Sequence, residues 1–271
     1  MSYIFSKDVL YLGLTCPISR EKMSYIFSKR KRNSFPHLFL CFPHIQNNLF
    51  TFAAQKKPKK MTNPSPKADI AETLRSIKQE LRTMMNGPVS QSMRQHGLGY
   101  RVIFGVEQPR LQAFAEGLER SRSLAIALWQ EDIRECRLLA TMTMPPDEFD
   151  SDLGTLWAES LHYPEEADAL AQNLLRHVPW ATSMLTMWMA SEKQMLRYEA
   201  FQLLACLLRD GLRLTTRDAQ EFLDHATCEL TAGQEEGNTA APAARRAILR
   251  YMACGIPEEK IAQAYLKQLE S

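Results

Sequence analysis

From Met61 to Ser271, apolar residues recur every three or four positions, segment after segment, with no sustained alternation. That period constrains the fold more than any other feature of the chain. Spacing of three and four covers one face of an α-helix, whereas a half-buried strand needs a period of two. Ile70, Leu74, Ile77, Leu81 and Met84 form the first stripe, with Asp69 the expected N-cap and Asn86-Gly87-Pro88 the stop. A short helix is expected over Val89–His96, ended by Gly97. Pro109 suits the first turn of a helix carrying Leu111, Phe114, Ala115 and Leu118. Further stripes run through Leu124–Leu128, Ile133–Ala140, Leu153–Trp157, Ala167–Val178 behind Pro164, and Leu196–Leu207, with Pro179-Trp180 opening one more helix. Thr216 is the expected cap of a helix bearing Phe222, Leu223, Ala226 and Leu230; Pro242 and Pro257 sit at the openings of the last two. The exception is Gly99–Gly105, which carries Tyr100, Val102, Ile103 and Phe104. No second β-like stretch is available to pair with it, so it reads as an extended, buried connector.

Short turns marked by Pro or Gly make sequence neighbours pack antiparallel. Pairs recur at roughly the 40-residue period of HEAT-like repeats. The expected fold is all-α, a HEAT-like α-α superhelix of stacked antiparallel helix pairs with one concave face.

The first sixty residues read differently. Met-Ser-Tyr-Ile-Phe-Ser-Lys occurs at Met1–Lys7 and again at Met23–Lys29, and Lys29-Arg30-Lys31-Arg32 is a basic run. No helical period and no uninterrupted apolar run of membrane-spanning length is present. Three readings stand: translation starting at Met61, a disordered basic arm able to touch phosphates, or an organelle transit peptide. The chain therefore divides into residues 1–60 and a helical domain, 61–271.

Charge is segregated in the same way. The formal net charge is +2, but 11 of the 33 Lys and Arg and only 2 of the 31 Asp and Glu fall in residues 1–60. That leaves 22 basic against 29 acidic residues in 61–271. A nucleic-acid-binding domain usually shows a basic excess, so this one would need a local basic face on an acidic body. Cys16, Cys41, Cys136, Cys206, Cys228 and Cys254 include no Cys-x-x-Cys pair, which points to reduced thiols packed as small hydrophobes in a cytoplasmic protein. His96, His162, His177 and His225 share no ligand spacing, and no Gly-rich phosphate loop or nucleophile elbow occurs. No metal or cofactor is expected.

Three stretches, taken in order, resemble the HEAT-like family of DNA alkylation repair proteins, the alkylpurine DNA glycosylases. They are Gly97–Ala115, with Tyr100, Gly105-Val106 and Pro109-x-Leu111; Leu128-Trp129 with Arg134-Glu135-Cys136-Arg137-Leu138-Leu139-Ala140; and Trp180–Leu208, with Trp188-x-Ala190-Ser191 and an Arg-bearing helix. The resemblance covers most of residues 90–255. It implies cleavage of the N-glycosidic bond of cationic alkylated purines, without a metal, by aromatic faces and a carboxylate that stabilises an oxocarbenium-like transition state. The family's pattern places that carboxylate four residues after a Trp. Aligned on Trp180, the position holds Met184, and no Asp or Glu lies between Trp180 and Ser191. The family's second helix Arg is Tyr198 here, while Arg197 is retained.

The resemblance implies duplex DNA, intact or alkylated, as the partner; a monomer is expected. Trp180, Trp188, Arg197, Arg245 and Arg246 are the expected DNA-binding residues. The competing reading of each is structural: core packing for the tryptophans, an ion pair with Glu159 or Glu192 for Arg197, and a solvated face for Arg245, Arg246 and Arg250. Arg134, Glu135 and Arg137 read as an internal salt-bridge set. Three functions follow: a DNA binder without an evident catalytic carboxylate, a glycosylase using a carboxylate from another helix (Glu192 or Glu159), or a helical scaffold for a protein partner.

Overall fold

The computed structural model describes residues 66–232 and 238–269. Residues 1–60, with the repeated heptapeptide, the basic run, Cys16 and Cys41, lie outside the described residues. Twelve α-helices follow one another among those described: α1 (Pro66–Thr83), α2 (Gly87–Gln95), α3 (Gln108–Glu116), α4 (Arg122–Trp129), α5 (Arg134–Thr143), α6 (Ser151–Glu159), α7 (Pro164–Asn173), α8 (Ala181–Met189), α9 (Gln194–Arg209), α10 (Thr216–Ala232), α11 (Ala240–Met252) and α12 (Ile256–Leu269). The fold is all-α and of the HEAT-like kind. None of the described helices is long and apolar enough to cross a membrane.

The helix starts obey capping chemistry. Asn86, Ser121 and Asp150 each accept a hydrogen bond from the backbone N–H three residues on, at Val89, Leu124 and Leu153. Two expected caps move. Asp69 lies inside the first turn of α1, which already begins at Pro66. Thr215, not Thr216, caps α10: its hydroxyl accepts from Asp218 N–H at 3.2 Å and donates to the Asp218 carboxylate at 2.8 Å. A hydroxyl can reach the first free N–H groups only from the position just outside the helix.

Packing sorts the helices into two layers. In one, α3, α5, α7, α9 and α11 contact each other in order; in the other, α1 meets α4, and α10 meets both α8 and α12. The core lies between them, and α9 is its centre, touching α6, α7, α8 and α11. Leu203, Phe201, Ala200 and Leu204 fill its buried faces. Polar groups tie the first layer together. Arg134 and Arg137 on α5 pair with Glu165 and Glu166 on α7 at 3.0 and 2.6 Å.

The connector after α2 is extended and buried, as its composition implies, with one isolated parallel bridge between Val102 and Ile133. Glu135 holds it. This fully buried carboxylate accepts from the backbone N–H groups of Phe104, Gly105 and Val106 at 3.0, 2.9 and 3.3 Å, and pairs with Arg134 at 3.2 Å. Gly105 has φ +75°, and a Cβ there would fall 2.4 Å from the Asn86 carbonyl oxygen. No other residue fits that approach.

The cysteines divide by position. Cys136 and Cys206 are buried, and desolvation pushes the Cys136 thiol up to about 12. Cys228 departs from the expected small core hydrophobe: it is exposed, on the outward side of α10.

Candidate nucleic-acid interface

The turn from Trp180 into α9, where the sequence places the working surface, is built mainly as structure. The Trp180 indole lies across α6, and Nε1 donates to the Phe149 carbonyl at 2.7 Å. Gly154 makes room for the ring, since a Cβ there would sit 2.1 Å from Trp180 Cη2. Trp188 is 0% exposed and meets Trp180 edge-on at 6.5 Å. The series continues through Phe149 to Trp157, which stacks on Trp129 at 4.3 Å and 3°. Arg137 caps it, 4.1 Å above the Trp129 ring. Trp188 thus has no face left for a nucleic acid, which corrects the expectation drawn from the sequence. An indole carries so much apolar area that core and cleft are equally good destinations for it; the small residue at 154 sends Trp180 inward.

Arg197 is also engaged. It pairs with the Glu229 carboxylate on α10 and donates to the carbonyls of Ser191 and Glu192, both at 3.0 Å. It closes the α8–α9 turn, with Glu229 rather than Glu159 or Glu192 as its ion-pair partner. Glu159 pairs instead with Lys193 at 3.0 Å. Met184 is half-buried against the core.

Arg246 leads elsewhere. It lines a groove of about 470 Å³ across α7, α9 and α11, together with Asp168, Gln172, Gln202, Arg209, Leu249 and Arg250. Ala205 and Cys206 lie at its buried side. Stacking neighbouring helices in register brings these residues together from positions far apart in the chain. Arg246 Nη2 donates to the Tyr198 hydroxyl at 2.6 Å and Nε to Gln202 Oε1 at 3.2 Å. The Tyr198 hydroxyl donates in turn to Asp168 Oδ1 at 2.9 Å, which lies 3.7 Å from Arg246 Nη2. The guanidinium stands 5.4 Å from the Tyr198 ring centre. Burial raises the Asp168 carboxyl above the usual range, while the Tyr198 hydrogen bond and the Arg246 charge pull it back. Burial and the Asp168 charge raise the Tyr198 phenol.

Arg209 is shared with Asp210 at 3.5 Å, and Asp210 is held at 2.7 Å by Arg176. Arg245 and Arg250 are exposed and form no ion pair among the described residues. Three guanidinium groups therefore line the groove against one carboxylate, on a domain whose sequence is acidic overall. Such a surface attracts anions regardless of net charge. The sequence marks Arg245, Arg246 and Arg250 through their spacing on one helix. It gives no sign of Asp168 on α7, or of Gln202 and Arg209 on α9, as members of the same site. Among the described residues, no group of three or more His, Cys, Asp or Glu could hold a metal ion.

No curated protein matches the chain. A solved structure from a new family of proteins related to the HEAT-like repeat DNA glycosylases, with affinity for branched DNA structures, shares its fold: the TM-score is 0.64 at 14% identity, over 72% of this chain and 82% of that one. Residues 77–238, more than half of the sequence, match the family model of the DNA alkylation repair enzymes. The chain belongs to the DNA alkylation repair enzyme family.

Proposed function

We propose that this protein binds DNA through the α7–α9–α11 groove, with Arg209, Arg246 and Arg250 on backbone phosphates and Arg245 beside them. The observation that carries this is the cluster of guanidinium groups, two of them without an ion pair, on an acidic domain. Membership of a DNA alkylation repair family, and the affinity of the structural relative for branched DNA, support the same class of ligand. Arg197 and the tryptophans act in this reading as the frame behind the surface. Three phosphate contacts on a duplex give a log–log salt slope of about −2.7, so affinity falls roughly 40-fold between about 50 and about 200 mM salt. Fluorescence anisotropy with a labelled duplex measures it. No binding at low salt would sink the proposal.

A second reading, glycosylase activity, is favoured by one observation. Met184 offers no charge, but the groove holds a carboxylate of its own, Asp168, positioned by Tyr198. A carboxylate there can stabilise positive charge developing on a bound sugar. Release of methylated purine from alkylated duplex, abolished by Asp168→Asn and untouched by Met184→Leu, would establish this reading. No release by the wild-type protein removes it and leaves the binding protein.

A further inference from the structure

The groove carries more than a phosphate site needs. A continuous duplex presents phosphates and sugars to such a surface, and arginines alone would serve it. Here the lining is divided by chemistry. Arg209, Arg246 and Arg250 stand with two amide side chains, Gln172 and Gln202, and with an apolar part formed by Ala205, Cys206 and Leu249.

Leu249 is the least expected of these. It is 57% exposed, one residue before Arg250 and three after Arg246 on α11. Leucine contributes nothing to phosphate binding. It gains only against an apolar face, and in a nucleic acid the large apolar face is that of a base. Within a duplex those faces are covered by their neighbours. They become available where stacking is interrupted, which is where apolar side chains insert in other DNA complexes.

The amides point the same way. Gln202 spends its carbonyl oxygen on Arg246, which leaves its NH2 without a partner among the described residues. Gln172 is exposed on α7 and makes no hydrogen bond among them. Amides of this kind read the edges of bases. A groove of about 470 Å³ lies within the range that holds a small ligand. Glu199, one turn before Gln202, is wholly buried, and desolvation raises its carboxyl well above the ordinary value, which disfavours a negative charge behind the groove.

We infer that the groove takes a single unpaired nucleotide, its base against Leu249 and the two glutamine amides and its phosphate on Arg209 and Arg250, so that the protein selects DNA with interrupted pairing over continuous duplex. This rests on the groove being the DNA site, as proposed above, and adds the class of DNA it prefers.

The test compares labelled DNAs of equal length at low salt: a continuous duplex, the same duplex with one unpaired nucleotide, and a three-way junction with unpaired nucleotides at its centre. The full-length protein should bind both interrupted DNAs about tenfold more tightly than the duplex. Leu249→Ala and Gln172→Ala, both at exposed helix positions, should weaken binding of the interrupted DNAs several-fold more than binding of the continuous duplex. The fluorescence of 2-aminopurine at the unpaired position should change with the wild type and much less with Leu249→Ala. Equal affinity for all three DNAs overturns the inference and leaves phosphate binding standing. A preference that survives in both variants also overturns it, because the discrimination then lies outside the groove. No binding to any of the DNAs overturns both readings.

Discussion

Glu199 lies wholly inside the protein, and neither of its carboxyl oxygens is hydrogen-bonded. Desolvation first, and the nearby Asp168 charge second, raise it well above the ordinary glutamate value of 4.5. The consequence for stability has a definite sign. Below about pH 4.5 the group is protonated whether the chain is folded or not, and it has no effect. As pH rises, the unfolded chain releases the proton while the folded one keeps it. Stability is then lost, at up to about 1.4 kcal/mol per pH unit, until the folded-state value is passed. Glu199→Gln keeps the shape and removes the titration. Its urea midpoint should exceed that of the wild type at pH 8 and approach it at pH 5; parallel pH profiles would refute the assignment. Asp168 has a raised pKa for the same first reason, but it faces the groove. Its protonation removes the only negative charge among the groove's lining residues, so DNA affinity should rise as pH falls through that value. Asp168→Asn should bind more tightly at neutral pH and lose the pH dependence, as read by anisotropy.

At the level of single elements, two charged residues set the course of the chain between helices. Glu135 fastens the connector to α5 by three backbone N–H groups. An amide at this position cannot serve them with a full charge and would leave Arg134 with Glu165 as its one carboxylate partner, so Glu135→Gln should cost about 3 kcal/mol. Chemical denaturation would measure the loss, and hydrogen exchange should place it at residues 104–106. Arg197 closes the α8–α9 turn over Glu229. Arg197→Ala should cost about 2 kcal/mol of stability, with DNA affinity unchanged at a temperature where the variant is folded. A fall in affinity out of proportion to stability would return Arg197 to the binding surface. The helical period foretells both elements but neither attachment. Nothing local to Glu135 distinguishes a carboxylate on solvent from one that collects three amides 29 to 31 residues away.

For the whole molecule, the groove is a property of the stack. Arg250→Ala removes one cation that has no internal partner, so the fold should be unaffected. Duplex affinity should fall at every salt concentration, and the salt slope should shrink by about 1. An unchanged slope would mean that Arg250 does not meet a phosphate. Much of this architecture is legible along the chain, because a stripe such as Ile70, Leu74, Ile77, Leu81 is a local statement of helix and buried face. The short Pro- and Gly-marked turns extend it to antiparallel pairs, and the ordered motifs to the family. Whether Trp180 faces a ligand or a core is not legible, since the indole satisfies either and Gly154, on another helix, decides. The sequence by itself therefore determined the helices, which follow from spacing within a few turns of chain, and, through three ordered motif stretches, the resemblance to the family. Only the tertiary structure decided the site. Asp168, Gln202 and Arg246 become neighbours through the lateral register of α7, α9 and α11, which is set by how side chains interlock across the stack and by no period within any one helix.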